Sequence, residues 1–161
     1  MKLLIIMIFL HLSLFAHPHF FIDVDVSIDK NKITHYWSFD KLNSKLLSFE
    51  FDENKDKIFQ ENEKIKFYNT HILKVKEYNF NLFLEANNKD YIFEKINEYD
   101  LVLNKRHVVF SFSKNVENIK QATLCNIDPT VYMAFNLKNV YTRFKTDIQK
   151  SQYDFCIGVQ Q

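Results

Sequence analysis

Phe20-Phe21-Ile22-Asp23-Val24-Asp25-Val26-Ser27-Ile28 decides the fold. Phe20, Ile22, Val24, Val26 and Ile28 alternate with Phe21, Asp23, Asp25 and Ser27, and a period of two puts each apolar side chain on one side of an extended backbone. This is a strand with one buried face. Asp29-Lys30-Asn31-Lys32 reads as a turn, and the return strand sets Ile33, His35, Trp37 and Phe39 on one side against Thr34, Tyr36 and Ser38 on the other. The chain therefore opens with a β-hairpin.

Beyond the hairpin the period changes. Asp40 can cap a helix in which Leu42, Leu46 and Phe49 recur at helical spacing, and Glu61, Ile65, Tyr68, Ile72 and Val75 outline a second one. After Tyr78 the two-residue period returns in Phe80, Leu82 and Leu84. Asn87-Asn88-Lys89-Asp90 reads as a turn, Tyr91 to Phe93 restarts a strand, and Val108, Phe110 and Phe112 form another. Further strands are expected near 122–125, 131–135 and 153–159. The fold class is α+β, mostly β: an antiparallel β-sandwich or open barrel with an EF-hand-like helix-loop-helix inserted over about residues 40–76.

Ahead of the hairpin, Lys2 precedes an apolar run from Leu3 to Phe15 that ends at Ala16, the pattern of a signal peptide over residues 1–16. The run is short of the roughly 20 residues that span a bilayer, and Pro18 ends it. Leu14 stands three residues before the cut, where a small side chain is preferred. Residues 17–161 then form a single exported domain, expected to be soluble in the periplasm. A 16% aromatic content with 17 Phe supplies a core, and a net charge of +1 gives no basic footprint for nucleic acid. Two cysteines remote in sequence, Cys125 and Cys156, point to a disulfide in an oxidising compartment.

Two segments carry chemistry. From Asp52 to Glu63, the side chains of Asp52, Asn54, Asp56, Gln60 and Glu63, with the carbonyl of Ile58, fall at positions 1, 3, 5, 9, 12 and 7 of an EF-hand loop. A hard cation wants six to eight oxygens, and this spacing delivers them inward from alternate residues, so calcium is the expected ion. Lys57 occupies position 6, where glycine usually supplies a positive φ; in that conformation lysine costs about 1–2 kcal/mol. The competing reading is a solvated acidic turn. Cleavage after Ala16 would expose the second segment, His17-Pro18-His19, as an α-amine with two imidazoles, a donor set suited to zinc, nickel or copper. Pro18 has no amide hydrogen to lose, so binding would use His17 and His19 themselves and leave coordination positions open. A solvated strand end is the competing reading there. His71, near a helix end, and His107, expected at the surface, are weaker candidates, and His35 reads as a core residue. Neither a phosphate-binding loop nor a nucleophile elbow is present.

Ala16-His17-Pro18-His19-Phe20, Trp37-Ser38-Phe39-Asp40, the loop from Asp52 to Glu63 and Asp128-Pro129-Thr130 with Tyr132 together resemble a bacterial family of unknown function. Its members are described as the periplasmic component of an uncharacterised ABC-type transport system. They are commonly encoded beside nickel/cobalt-type permeases, and some are tied to zinc uptake. The resemblance implies a non-enzymatic accessory that binds a transition metal ion (nickel, cobalt or zinc) through His17 and His19 for an inner-membrane metal permease. A calcium-stabilised structural or interaction module without a transition metal is the alternative, and an oxidase built on an N-terminal histidine and copper is a third.

Overall fold

The computed structural model describes residues 18–96 and 98–161. The predicted signal peptide and His17 lie outside them.

Strands β1 (Phe20–Ile28) and β2 (Lys32–Phe39) form the expected hairpin, with Ile22 facing Phe39 and Ile28 facing Ile33. Alternation decides which side is buried: Phe20, Ile22, Val24, Val26 and Ile28 all point into the core. Helix α1 (Lys41–Phe51) follows, and Asp40 caps it by accepting the N–H groups of Leu42 and Asn43. Helix α2 (Glu61–Phe67) starts from a capping box of Gln60 and Glu63, then loosens into a π-helical turn at Tyr68–Ile72 and a 3-10 stretch at Leu73–Asn81. The remaining strands are β3 (Leu82–Ala86), β4 (Lys89–Asp90), β5 (Glu98–Asn104), β6 (His107–Asn115), β7 (Gln121–Asn126), β8 (Met133–Thr142), β9 (Lys145–Lys150) and β10 (Phe155–Gln160).

They build two five-stranded sheets, ordered β5-β6-β2-β1-β8 and β4-β3-β7-β10-β9. The architecture is a mostly β sandwich rather than a closed barrel, with the helices inserted after the first hairpin. Trp37, Phe39, Phe110 and Phe135 from one sheet and Leu84, Leu124, Phe155 and Ile157 from the other belong to one buried cluster. Such burial is worth roughly 1.5–3 kcal/mol for each large apolar side chain. Trp37 touches Phe110, Phe112 and Phe135 with ring centroids 5.0–6.2 Å apart. One pairing departs from the antiparallel expectation: β1 and β8 run parallel, with a register shift between Val24 and Asp25.

Three local expectations are corrected. The apolar row on α1 does not face the core: Leu42, Leu46 and Phe49 are 68%, 55% and 81% exposed, and Ser44, Leu47 and Phe51 are buried instead. Ser44 earns its interior position by donating its hydroxyl to the Phe39 carbonyl while accepting the N–H of Val108. The strand expected at 91–93 does not form. Tyr91 still donates to Leu84, but the N–H of Phe93 goes to the Asn79 side chain at 2.6 Å, which takes the chain out of the ladder. The Asn87-Asn88 turn holds, with both residues at positive φ, but Lys89 and Asp90 belong to a strand rather than to the turn.

Candidate metal-binding sites

Cys125 and Cys156 are joined, with Cα atoms 4.1 Å apart. They are directly opposed in the β7–β10 ladder, so the bond ties neighbouring strands and closes a chain segment 31 residues long.

The acidic loop has the curvature its spacing implies. Asp52 ends α1 by donating its N–H to Ser48, and the chain then turns through Lys55 at φ 60° and Lys57 at φ 67°. Lys57 therefore adopts the left-handed conformation that glycine would take at position 6. The turn is held from inside. Asp52 accepts the N–H groups of Asp56 and Lys57 at 3.1 and 3.0 Å, Asn54 accepts that of Asp56 at 3.0 Å, and Asp56 accepts that of Ile58 at 2.7 Å. Glu63 closes the loop from α2, accepting the N–H of Glu53 with one oxygen and that of Gln60 with the other, both at 2.7 Å. Gln60 reaches Asp56 at 3.4 Å, while the Ile58 side chain is exposed.

Asp52 and Glu63 are only 7% and 2% exposed, and among the described residues neither forms an ion pair. Buried charges are ordinarily paired or coordinate a metal. Here backbone N–H groups are their partners. Among the described residues no three His, Cys, Asp or Glu side chains are gathered tightly enough to form a ready coordination sphere. The loop thus holds its carboxylates on backbone N–H donors.

The histidine segment leads into a second arrangement. His19 donates its N–H to the Tyr132 carbonyl at 2.8 Å, its own carbonyl accepts from the Asn43 side chain at 2.9 Å, and its ring lies 4.9 Å from the Tyr132 ring. The backbone of the histidine is fixed from two sides while its side chain stays exposed. Asp128 forms the loop that presents Tyr132. It accepts the N–H and hydroxyl of Thr130 at 2.8 and 2.6 Å and the N–H of Met133 at 2.7 Å. Between them Val131 sits at φ 57°, a left-handed value that a β-branched residue rarely takes.

His71 lies near a helix end as expected, in the last turn of the π-helical stretch, but it is half-buried against Phe20, Phe51 and Phe67 with centroid separations of 5.6, 5.4 and 5.5 Å. Burial lowers its pKa below the ordinary 6.5; the Lys74 charge acts in the same direction, and Glu50 opposes it. The ring lines a pocket of about 310 Å³ with Lys74, Val75, Thr130, Tyr132 and Met133. His107 is not free at the surface either, because its Nδ1 lies 2.7 Å from the Phe39 carbonyl. His35 is a core residue as expected, stacked on Phe112 at 4.8 Å, and burial lowers its pKa to about 3. A wider pocket of about 470 Å³ lies on the second sheet around Asp147 and Gly158 and holds none of the predicted residues. The proximity of His19, Tyr132 and His71 was beyond sequence reasoning, since they come from three distant segments and a π turn leaves no periodic signal.

Among the described residues no helix is long and apolar enough to cross a membrane. No curated protein and no solved structure matches the chain. Residues 2–155, which carry the hairpin, the acidic loop, the Asp128 loop and nine of the ten described strands, match one family, and the chain belongs to that family, described as "Protein of unknown function (DUF1007)".

Proposed function

We propose that this chain is a non-enzymatic accessory of the periplasm, exported by residues 1–16, which binds nickel, cobalt or zinc through His17 and His19 for an inner-membrane metal permease. The observation that carries this reading is the tethering of His19, whose backbone is bonded to Tyr132 and Asn43 while its imidazole remains exposed beside a pocket lined by His71. A histidine fixed at its backbone loses less freedom on ligating a metal than one on a free tail. Imidazole donors suit these borderline ions. The disulfide is in keeping with an oxidising compartment. Titration of processed protein with each metal tests the reading, with the His17→Ala, His19→Ala double variant as control.

A second reading, a calcium-stabilised structural or interaction module, is favoured by different observations. Among the described residues Asp52 and Glu63 are buried without ion pairs in a loop of EF-hand curvature, and Leu42, Leu46 and Phe49 of the adjoining α1 are exposed. Calcium would use Asp52, Asn54, Asp56, the Ile58 carbonyl, Gln60 and Glu63. The two ions need not compete, because one site offers oxygens and the other nitrogens.

A further inference from the structure

Helix α1 has two faces that both call for packing. Ser44, Leu47 and Phe51 lie on the inner one and are buried. Leu42, Leu46 and Phe49 recur at intervals of four and three residues and are exposed, Phe49 more than any other large apolar side chain among the described residues. At about 100° per residue the two sets point roughly 170° apart, so the exposed row faces straight away from the core. A surface helix ordinarily presents charged and polar residues there.

Spacing and flanking charge identify what covers it. Four-then-three spacing is that of a coiled-coil seam, with Leu42 and Phe49 at d and Leu46 at a. Lys45 then falls at g and Glu50 at the following e, the two positions that form ion pairs across a parallel two-helix seam. Both are exposed, and among the described residues neither is in an ion pair. A twofold axis along α1 brings Lys45 of each copy to Glu50 of the other, giving two ion pairs from one self-complementary surface. An antiparallel pairing would set lysine flank against lysine flank. A lipid surface fits less well, because interfacial helices carry cations on their polar flanks and Glu50 occupies one of these. Three side chains on a helix of 11 residues fall short of the roughly 800 Å² per partner of a standard interface, so the association is weak and reversible.

We infer that two copies of this chain associate through α1 in parallel, with Leu42, Leu46 and Phe49 forming the seam and Lys45 pairing with Glu50 of the second copy. Parallel pairing sets both Asn43 side chains, each holding a His19 carbonyl at 2.9 Å, at the same end of the seam. The two histidine segments therefore belong to one end of the dimer. The inference stands whichever ion the chain binds.

Sedimentation equilibrium of processed protein from micromolar to millimolar concentration tests it, with the disulfide intact and a chelator present to exclude bridging by metal. A reversible monomer–dimer equilibrium is expected, weakening with salt as the ion pairs are screened. Leu46→Gln and Phe49→Gln, at exposed positions that leave the melting temperature level, each return the protein to monomer. Lys45→Glu turns both pairs repulsive and weakens the dimer about tenfold, whereas Lys45→Glu combined with Glu50→Lys restores it. A monomer at every concentration overturns the inference, as does a dimer that survives Phe49→Gln or that Lys45→Glu leaves level or tightens. Co-sedimentation of a monomeric chain with phosphatidylglycerol vesicles, lost in Phe49→Gln, would assign the row to a lipid surface and overturn the inference as well. None of these results bears on the metal titrations, which decide the functional reading separately.

Discussion

His19 and Tyr132, 113 positions apart in the chain, are joined by a 2.8 Å hydrogen bond from the His19 N–H to the Tyr132 carbonyl, and their rings lie 4.9 Å apart. The start of β1 is thereby fastened to the loop that leads into β8, the strand with which β1 pairs in parallel. Asp128 shapes that loop through three hydrogen bonds, and Val131 is the residue forced into a left-handed conformation by it.

Val131→Gly is therefore expected to raise stability or leave it level, even though glycine normally costs entropy. Relief of about 1–2 kcal/mol of left-handed strain opposes a glycine penalty of about 0.5–1 kcal/mol. A thermal melt checks this. A loss of several degrees would mean that the Val131 side chain contributes packing that outweighs its strain.

The acidic loop predicts a calcium response. Binding to the folded chain raises the melting temperature in proportion to the logarithm of free calcium above its dissociation constant, and Glu63→Gln should remove the shift. Lys57→Gly should enlarge it and stabilise the calcium-free protein by about 1 kcal/mol, because φ 67° costs glycine nothing. If wild type does not respond at several millimolar calcium, the loop is a solvated turn held by its own N–H groups.

Reduction of the bond between Cys125 and Cys156 should lower stability by about 3–4 kcal/mol in the chain-entropy picture for a loop of this length. Urea unfolding of oxidised protein and of the Cys125→Ala, Cys156→Ala variant measures it. Indistinguishable midpoints would show that the bond gains nothing from restricting the unfolded chain, against the chain-entropy picture.

His35 sets an acid limit. Its folded pKa of about 3 lies below the ordinary 6.5, so the unfolded chain takes up a proton first as pH falls. The stability that neutral His35 contributes is complete above about 6.5 and is lost progressively down to about pH 3, at up to roughly 1.4 kcal/mol per pH unit. His35→Phe, which keeps the stack on Phe112, should flatten the dependence of unfolding free energy on pH between 6.5 and 4. An unchanged slope would assign the acid sensitivity to other groups, among them His71, whose burial shifts it in the same direction.

What was legible in the chain follows from where period and burial agree. In β1 and β2 each apolar residue of the alternating set is buried, so the hairpin and its core face could be read directly. The positions of Asp52, Asn54, Asp56 and Glu63 were likewise legible, because ligand spacing is a local property. Helix α1 misled because its strongest apolar row faces outward and its interior position is filled by Ser44, whose hydrogen bonds no pattern announces. Strand β9, Lys145–Lys150, is exposed along its whole length and offers no alternation to find. The region uniting His19, His71 and Tyr132 depends on a π turn and a parallel strand pairing, both consequences of tertiary packing.

The central claim is tested most directly by titrating nickel, cobalt and zinc into protein processed to begin at His17, at pH 7 and again at pH 5.5, alongside the His17→Ala, His19→Ala variant. One metal ion per chain should bind at pH 7, weaken markedly at pH 5.5 because the metal needs neutral imidazole and protons compete for the same nitrogen atoms, and be lost in the variant with its melting temperature preserved. Equal affinity of variant and wild type for all three metals would contradict the account.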